Sequence, residues 1–133
     1  MKNYPLYTQK VHYRDLREVH QSWFKELDFF KEEIHFFQAL LKDYVIESDG
    51  SVDRNAVKNL QFKFIQCLEQ IDIYLKGLTY EENRLNDFIN IHLSTTEFIS
   101  FGGRKEWRNK ITFDRKFYLQ LKREFFQTIT KKN

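Results

Sequence analysis

Glu32 and His35 form a Glu-x-x-His pair, a spacing that can supply one carboxylate and one imidazole to a metal ion inside a helical bundle. Di-iron sites of this kind need two such motifs and further inward-facing carboxylates, whereas this chain has one motif. The neighbouring residues Ile34 and Phe37 fall in an apolar seam, so Glu32 and His35 should point away from the core. We expect the pair to lie on a solvated helix face.

A second set of polar residues falls at positions that are otherwise apolar. If the chain folds back near residue 50 and again near residue 99, His20 lies level with Glu81, and Asp114 lies level with Arg84. His92 belongs to the same end of the molecule. Buried polar pairs of this kind more often fix helix register than perform chemistry. We therefore predict no cofactor, and keep a metal or small-ligand site at His20, Glu81 and His92 as an alternative.

The usual sequence signatures of enzymes are missing. Gly102 and Gly103 lack the spacing and the following lysine of a phosphate-binding loop, and no G-x-S-x-G nucleophile motif occurs. The single cysteine, Cys67, falls within an apolar stretch, which favours a small buried side chain over a nucleophile. We therefore predict a protein without enzymatic activity.

Two long segments carry the apolar spacing of coiled-coil helices, with steps that alternate between three and four residues. They predict helices over residues 16–47 and 53–93, joined by a polar hairpin turn in which Asp53 or Ser51 caps the second helix. The first seam contains Leu16, His20, Trp23, Leu27, Phe30, Ile34, Phe37, Leu41 and Tyr44. The second seam contains Val57, Leu60, Phe64, Cys67, Ile71, Tyr74, Leu78, Glu81, Leu85, Phe88 and His92.

A third helix is predicted over residues 105–131, with an apolar stripe made of Ile111, Tyr118, Leu121, Phe125 and Ile129. Residues 1–15 form an N-terminal arm, and residues 94–104 form a short helical turn or a loop. The sequence thus predicts an all-α, single-domain, antiparallel up-down-up bundle of three long helices. Gly77 lies inside the second helix, where we expect its missing side chain to make room for the indole of Trp23.

The composition supports a helical protein of one domain. The chain has 133 residues, of which 41% are hydrophobic and 31% charged, and its one proline and four glycines are too few for an all-β protein of this length. One cysteine excludes an internal disulfide, and no stretch approaches the roughly 20 apolar residues of a membrane span. We expect a cytoplasmic protein without membrane contact.

Positive charge is concentrated at the C-terminal end. From Arg104 onward there are ten Lys or Arg and three Asp or Glu, a balance of +7 within a total of +3. The predicted basic contact surface consists of Arg104, Lys105, Arg108, Arg115, Lys116, Lys122 and Arg123. This surface could meet nucleic-acid phosphates, or it could pack beside helices that carry excess acid. No nucleic-acid-binding motif accompanies it, so nucleic acid is the alternative rather than the favoured partner.

Aromatic residues make up 17% of the chain, with 14 phenylalanines, which is a high content for a thin bundle. Phe29 and Phe36 lie beside the first seam and widen its apolar surface. Apolar stripes on more than one face indicate that a partner covers some of them. We therefore predict a non-enzymatic helical adaptor or scaffold with a protein partner, and a homodimer is one form that this partner can take.

Three stretches carry a resemblance to a known group of proteins: Trp23-Glu26-Leu27-Phe29, LQFKFIQCLEQID from Leu60 to Asp72, and FYLQLKREFFQTI from Phe117 to Ile129. Together they resemble an uncharacterised family of small bacterial helical proteins. The resemblance implies a cytoplasmic coiled-coil bundle, and it supplies no established activity or catalytic residue. The N-terminal arm and the segment FGGRKEW lie outside it.

Overall fold

Three long helices make up most of the structure. A computed structural model describes residues 9–48, 50–91, 98–101 and 104–130. The helices are α1 (Tyr13–Glu47), α2 (Arg54–Ile91) and α3 (Arg104–Thr130), and each of them contacts the other two. The predicted all-α bundle of three helices is thereby confirmed.

Hydrogen bonds between the first two helices show that they are antiparallel. His20 near the start of α1 is bonded to Glu82 near the end of α2, whereas Lys31, further along α1, is bonded to Asp72, which lies earlier in α2. The residue numbers therefore rise along one helix as they fall along the other. This is the hairpin that the polar turn between the two seams predicted.

Stacked aromatic rings show that the first and third helices are parallel. The ring of Phe30 lies 4.1 Å from that of Tyr118, and the ring of Phe37 lies 4.8 Å from that of Phe125. Both pairs are stacked, and such pairs contribute about 0.5–1.5 kcal/mol beyond their burial. The second pair lies seven residues after the first on both helices, so α1 and α3 run in the same direction. Because α2 is antiparallel to α1, the three helices run up, down and up.

The predicted seams form the core. The buried apolar residues of α1 are Leu16, Trp23, Leu27, Phe30, Ile34, Phe37 and Leu41. Those of α2 are Val57, Leu60, Phe64, Cys67, Ile71, Leu78 and Leu85, and those of α3 are Trp107, Ile111, Tyr118, Leu121 and Phe125. Four seam residues, Tyr44, Tyr74, Glu81 and Ile129, are only partly buried, and the predicted seam residue Phe88 is exposed. None of the described helices combines the length and apolar character needed to cross a bilayer.

The turn between α1 and α2 has the capping that its sequence predicted. The backbone N–H groups of Asn55 and Ala56 donate to Oδ1 of Asp53 at 3.0 and 3.2 Å, so Asp53 satisfies the exposed donors of the first turn of α2. Gly50 has a φ of 83°, a left-handed conformation that glycine adopts without steric cost. α1 begins at Tyr13, three residues before the predicted start at residue 16, so residues 13–15 of the predicted arm belong to its first turn.

A two-stranded sheet corrects the expectation of a helical turn or loop between α2 and α3. Strand β1 (Gln9–His12) pairs antiparallel with strand β2 (Phe98–Phe101), with Gln9 opposite Phe101 and His12 opposite Phe98. A four-residue strand forms only where a partner strand supplies its hydrogen bonds. That partner lies about 90 residues away in the sequence, so local pattern gave no sign of it. Residues 94–97 of this segment are outside the described part of the chain.

The indole that lies beside Gly77 belongs to Trp107, so the predicted partner, Trp23, was wrong. A Cβ atom added at Gly77 would come within 2.8 and 2.9 Å of the Cη2 and Cζ2 atoms of Trp107, and no atom of Trp23 lies within 4 Å of that position. The physical reason for the glycine is unchanged, because an indole still fills the space that a side chain would take. The indole comes from α3 rather than from α1.

Candidate functional site

Glu32 and His35 lie on the outer surface of α1, as predicted. Both residues are exposed, and Nδ1–H of His35 donates to Oε1 of Gln38 at 3.2 Å. The contact stays within the same helix and leaves the two side chains in solvent. This pair is a solvated helix face.

His20 is buried and bonded to Glu82 rather than to the predicted Glu81. Its side chain has 0% exposure, and Nδ1–H donates to Oε2 of Glu82 at 2.8 Å. The same carboxylate lies 3.3 Å from Nε of Arg17, while Glu81 forms an ion pair with Arg84 on its own helix. The prediction placed His20 at the correct turn of α2 but opposite Glu81 instead of Glu82. A difference of one position on a helix is a rotation of about 100°.

Two of the three predicted metal ligands, His20 and Glu81, are described, and His92 lies outside the described residues. Glu81 forms an ion pair with Arg84 on its own helix. Within the described part of the chain, no group of three or more His, Cys, Asp or Glu side chains could hold a metal ion. Near His20 the described residues form a buried histidine that is hydrogen-bonded to Glu82 at one end of the bundle.

Asp114 is the most unusual polar group in the core. It is fully buried, and neither carboxylate oxygen has a hydrogen-bond partner among the described residues. Burial, with a smaller contribution from the negative charge of Glu26, raises the pKa of Asp114 to about 6. Its predicted neighbour Arg84 is exposed and pairs with Glu81. Burial therefore makes this carboxyl easier to protonate than an exposed aspartate, and its ionised form at neutral pH is destabilised.

Cys67 lies in the same part of the core and is unsuited to nucleophilic chemistry. Its side chain has 0% exposure, and burial, together with the charge of Asp114, raises the pKa of its thiol to about 12. A thiol that stays protonated is a poor nucleophile. The predicted interpretation of Cys67 as a small buried side chain is confirmed by its burial.

The predicted basic surface of α3 divides into two groups. Arg115 donates to both oxygens of Glu26, with Nη2 at 2.8 Å, and Lys122 donates to Glu33 at 3.0 Å. These two bases therefore bind acids of α1. The exposed members of the predicted set are Lys105, Arg108, Lys116 and Arg123, and none of the four has an ion-pair partner among the described residues. The side chain of Arg104 is outside the described part.

The outer face of α2 carries a line of large apolar side chains that the seam analysis overlooked. We call it the α2 outer stripe, and it consists of Phe62, Ile65, Ile73 and Tyr80, each between 52% and 62% exposed. Steps of 11 and 7 residues from Phe62 to Ile73 to Tyr80 return to nearly the same direction on a helix. The signal was present in the sequence as apolar residues off the seam at helical spacing.

A second apolar surface lies where α1 and α3 meet at the outside of the bundle. We call it the α1–α3 face, and its apolar members are Phe29, Phe36, Leu119 and Phe126. Phe126 is 39% exposed, and its ring lies 5.6 Å from the ring of Phe37 on α1, which places it at the boundary between the helices. The sequence had indicated only the α1 half of this face.

Comparison with known proteins leaves the family open. No family model, no curated protein and no solved structure matches the chain. The small, helical character implied by the resemblance agrees with the structure, and the bacterial origin stays a prediction.

One open depression lies at the end of the bundle that carries the α1–α2 turn. It is lined by Tyr44, Ser51, Val52, Asp53, Ala56, Gln127 and Thr128. Its one carboxylate among the described residues, Asp53, already accepts the N–H groups that begin α2. The most extensive exposed features among the described residues are the two apolar surfaces and the basic residues of α3.

Proposed function

We propose that the protein is a non-enzymatic helical adaptor or scaffold that acts through protein–protein contacts. The observation that supports this proposal is the α2 outer stripe. Four large apolar side chains in one line, each more than half exposed, resemble the uncovered half of a helix–helix contact. The proposal includes the coiled-coil character and the cytoplasmic location that the sequence predicts.

The dimensions of the α2 outer stripe favour a helical partner. Phe62 and Tyr80 are 18 residues apart, which corresponds to about 27 Å along a helix. An amphipathic helix with apolar residues at i, i+3 or i+4, and i+7 could cover this length. Glu69 and Lys76 lie between the apolar residues, so the stripe has little net charge, and apolar contact would dominate the binding.

The test is capture of partners from host cells under mild conditions with tagged protein. We expect a reproducible protein partner that survives nuclease treatment and is lost when Phe62 and Ile73 are both changed to serine. Changing Asn59 and Gln66 to serine is the matched control, because both are exposed residues of the same helix. A partner that binds wild type and both variants equally would refute a contact through the α2 outer stripe.

Nucleic-acid association through α3 is the second proposal. It is supported by the four exposed bases of the predicted basic surface, which extend from Lys105 to Arg123, or about 27 Å along the helix. Changing these bases to glutamine should abolish nucleic-acid binding, and binding by wild type should fall steeply with salt. Binding that is unaffected by the substitutions would exclude this surface. Arg115 and Lys122 contribute less, because each is already paired with an acid of α1.

A further inference from the structure

Around each helix of the α1–α3 face, the side chains follow the same order: an ion-paired residue, then two apolar residues, then two exposed charged residues. On α1, at about 100° per residue, the ion-paired Glu33 is followed by the exposed Phe29 and Phe36, and then by the exposed acids Glu32 and Asp28. The boundary between the helices therefore carries ion pairs. An apolar strip lies outside it, and acids lie at the far edge.

On α3 the corresponding order has the opposite charge. The ion-paired Lys122 is followed by Phe126 and Leu119, and then by the exposed bases Arg123 and Lys116. Over residues 28–36 of α1 and 116–126 of α3, the face is thus an apolar strip with an acidic edge on the α1 side and a basic edge on the α3 side, and the exposed Lys25 lies one turn before the acidic edge. The two edges are complementary to each other, although they lie on opposite sides of one molecule.

The ion pairs within the chain show which residues lie at the same height. Glu26 pairs with Arg115 and Glu33 with Lys122, and both pairs are 89 residues apart. Because α1 and α3 are parallel, a residue of α1 is level with the residue of α3 that is 89 positions later.

The exposed acids and bases match by this rule. Asp28 is level with Lys116, and Glu32 with Arg123, each to within two residues, or about 3 Å. The apolar strip matches in the same way, because Phe29 is level with Leu119 and Phe36 with Phe126, each to within one residue.

Towards the start of the helices, charged residues take the place of the apolar pair. Glu18 and Arg108 are exposed and are level with each other to within one residue. Among the described residues, none of these exposed acids and bases forms an ion pair within the chain.

We propose that the α1–α3 face binds a second copy of this chain in a two-fold symmetric dimer. If the two-fold axis runs parallel to the helices, through the apolar strip, α1 of each protomer lies opposite α3 of its partner at the same height. Each acidic edge then meets a basic edge, and the apolar strips cover one another. This arrangement extends the proposed scaffold function, and it uses a surface separate from the α2 outer stripe.

The size and charge of the face favour a second copy over nucleic acid. The face spans the 18 residues from Glu18 to Phe36 on α1, or about 27 Å, and a width of two helices, about 20 Å, gives it a flat area of about 540 Å². Stable interfaces bury about 800 Å² per partner. Protruding side chains make the accessible area of the face larger than its flat area, so it approaches this value. A phosphate backbone carries negative charge only, so it would match the basic edge and leave the acidic edge of α1 without a partner, whereas a second copy matches both edges.

Charge reversal gives a test with a built-in rescue. In one variant, Asp28 and Glu32 are changed to lysine, and in a second, Lys116 and Arg123 are changed to glutamate. Each variant alone places like charges across the interface, so we expect its dimer dissociation constant, measured by sedimentation equilibrium, to rise at least about tenfold. An equal mixture of the two variants restores opposite charges at both edges, so we expect heterodimers to form.

Two controls keep the outcome specific. Circular dichroism checks that both variants remain helical, which we expect because all four altered residues are exposed. The double serine variant of the α2 outer stripe should still dimerise, so loss of a captured partner and loss of the dimer report on different surfaces. A wild-type mass of one chain at all concentrations would overturn the dimer. Failure of the two variants to form heterodimers would also overturn it, and so would the finding that the α3 bases bind only nucleic acid.

Discussion

Removing the charge of Asp114 should stabilise the protein at neutral pH. The carboxyl is fully buried with no hydrogen-bond partner among the described residues, so its ionised form gains nothing that offsets the loss of hydration. Two replacements separate charge from polarity. Asp114→Asn keeps the shape and removes the charge, and Asp114→Leu also removes the unpaired polar atoms.

The size of the effect follows from the pKa. Burial raises the pKa of Asp114 from its ordinary value of 3.8 to about 6, and a shift of this size corresponds to about 3 kcal/mol. A raised carboxyl pKa means that the folded protein binds the proton more tightly than the unfolded chain does. The penalty is therefore absent below about pH 4, grows between about pH 4 and pH 6, and is constant above that range.

Urea unfolding at a series of pH values, at fixed protein concentration, measures this directly. We expect the free energy of unfolding of Asp114→Asn, minus that of wild type, to increase by about 3 kcal/mol between pH 4 and pH 7. At pH 7, Asp114→Leu should be more stable than wild type, because leucine fills the core without an unpaired polar group. Asp87→Asn, at an exposed position of α2, is the control and should show no such increase.

The refuting result is equally specific. If the difference between wild type and Asp114→Asn stays constant from pH 4 to pH 8, the carboxyl of Asp114 titrates alike in the folded and unfolded states. That result would mean that the side chain is hydrated or hydrogen-bonded in the folded protein, and the described burial of this seam position would be wrong.

Three further substitutions or reactions test the packing of the core. Gly77→Ala should destabilise the protein by about 1–3 kcal/mol through contact with Trp107, and adding Trp107→Phe should recover part of the loss in a double-mutant cycle. His20→Leu should leave the thermal midpoint unchanged or raise it, because Glu82 keeps its arginine neighbour, whereas a loss of more than about 3 kcal/mol would show a stranded charge. The thiol of Cys67, whose pKa burial raises to about 12, should react with thiol reagents only at the rate of global unfolding, and faster labelling would contradict its burial.

The helices and most of the core could be predicted because both depend on local pattern. Apolar residues at steps of three and four predict a helix and the side of it that is buried, and the turn residues around Gly50 mark where the chain reverses. The same pattern does not determine the rotation of one helix relative to another to within one residue, which corresponds to about 100°. Glu82 was therefore missed in favour of its neighbour Glu81, although the height along the bundle was right.

The interactions that the sequence did not reveal are those that depend on α3. The height of α3 relative to α2 is fixed by packing and by the segment between them, and no local rule gives either. Trp107 rather than Trp23 therefore lies beside Gly77, and Asp114 lies in the core instead of beside Arg84. A polar residue at a seam position is visible in the sequence, but whether it finds a partner is visible only in three dimensions.

The buried His20 can explain why one register is preferred over others. Heptad seams repeat every seven residues, so sliding α1 against α2 by one heptad would still bury mostly apolar side chains. Such a slide would place His20 opposite Leu75 or Ile89 instead of Glu82, and would leave a buried imidazole without an acid. Buried polar groups fix helix register in this way in some coiled coils. His20→Leu should thus retain stability but lose uniqueness of packing, which would appear as broadened or doubled amide signals in nuclear magnetic resonance spectra. A single sharp set of signals, unchanged in register, would assign the choice of register to the aromatic stacks between α1 and α3 instead.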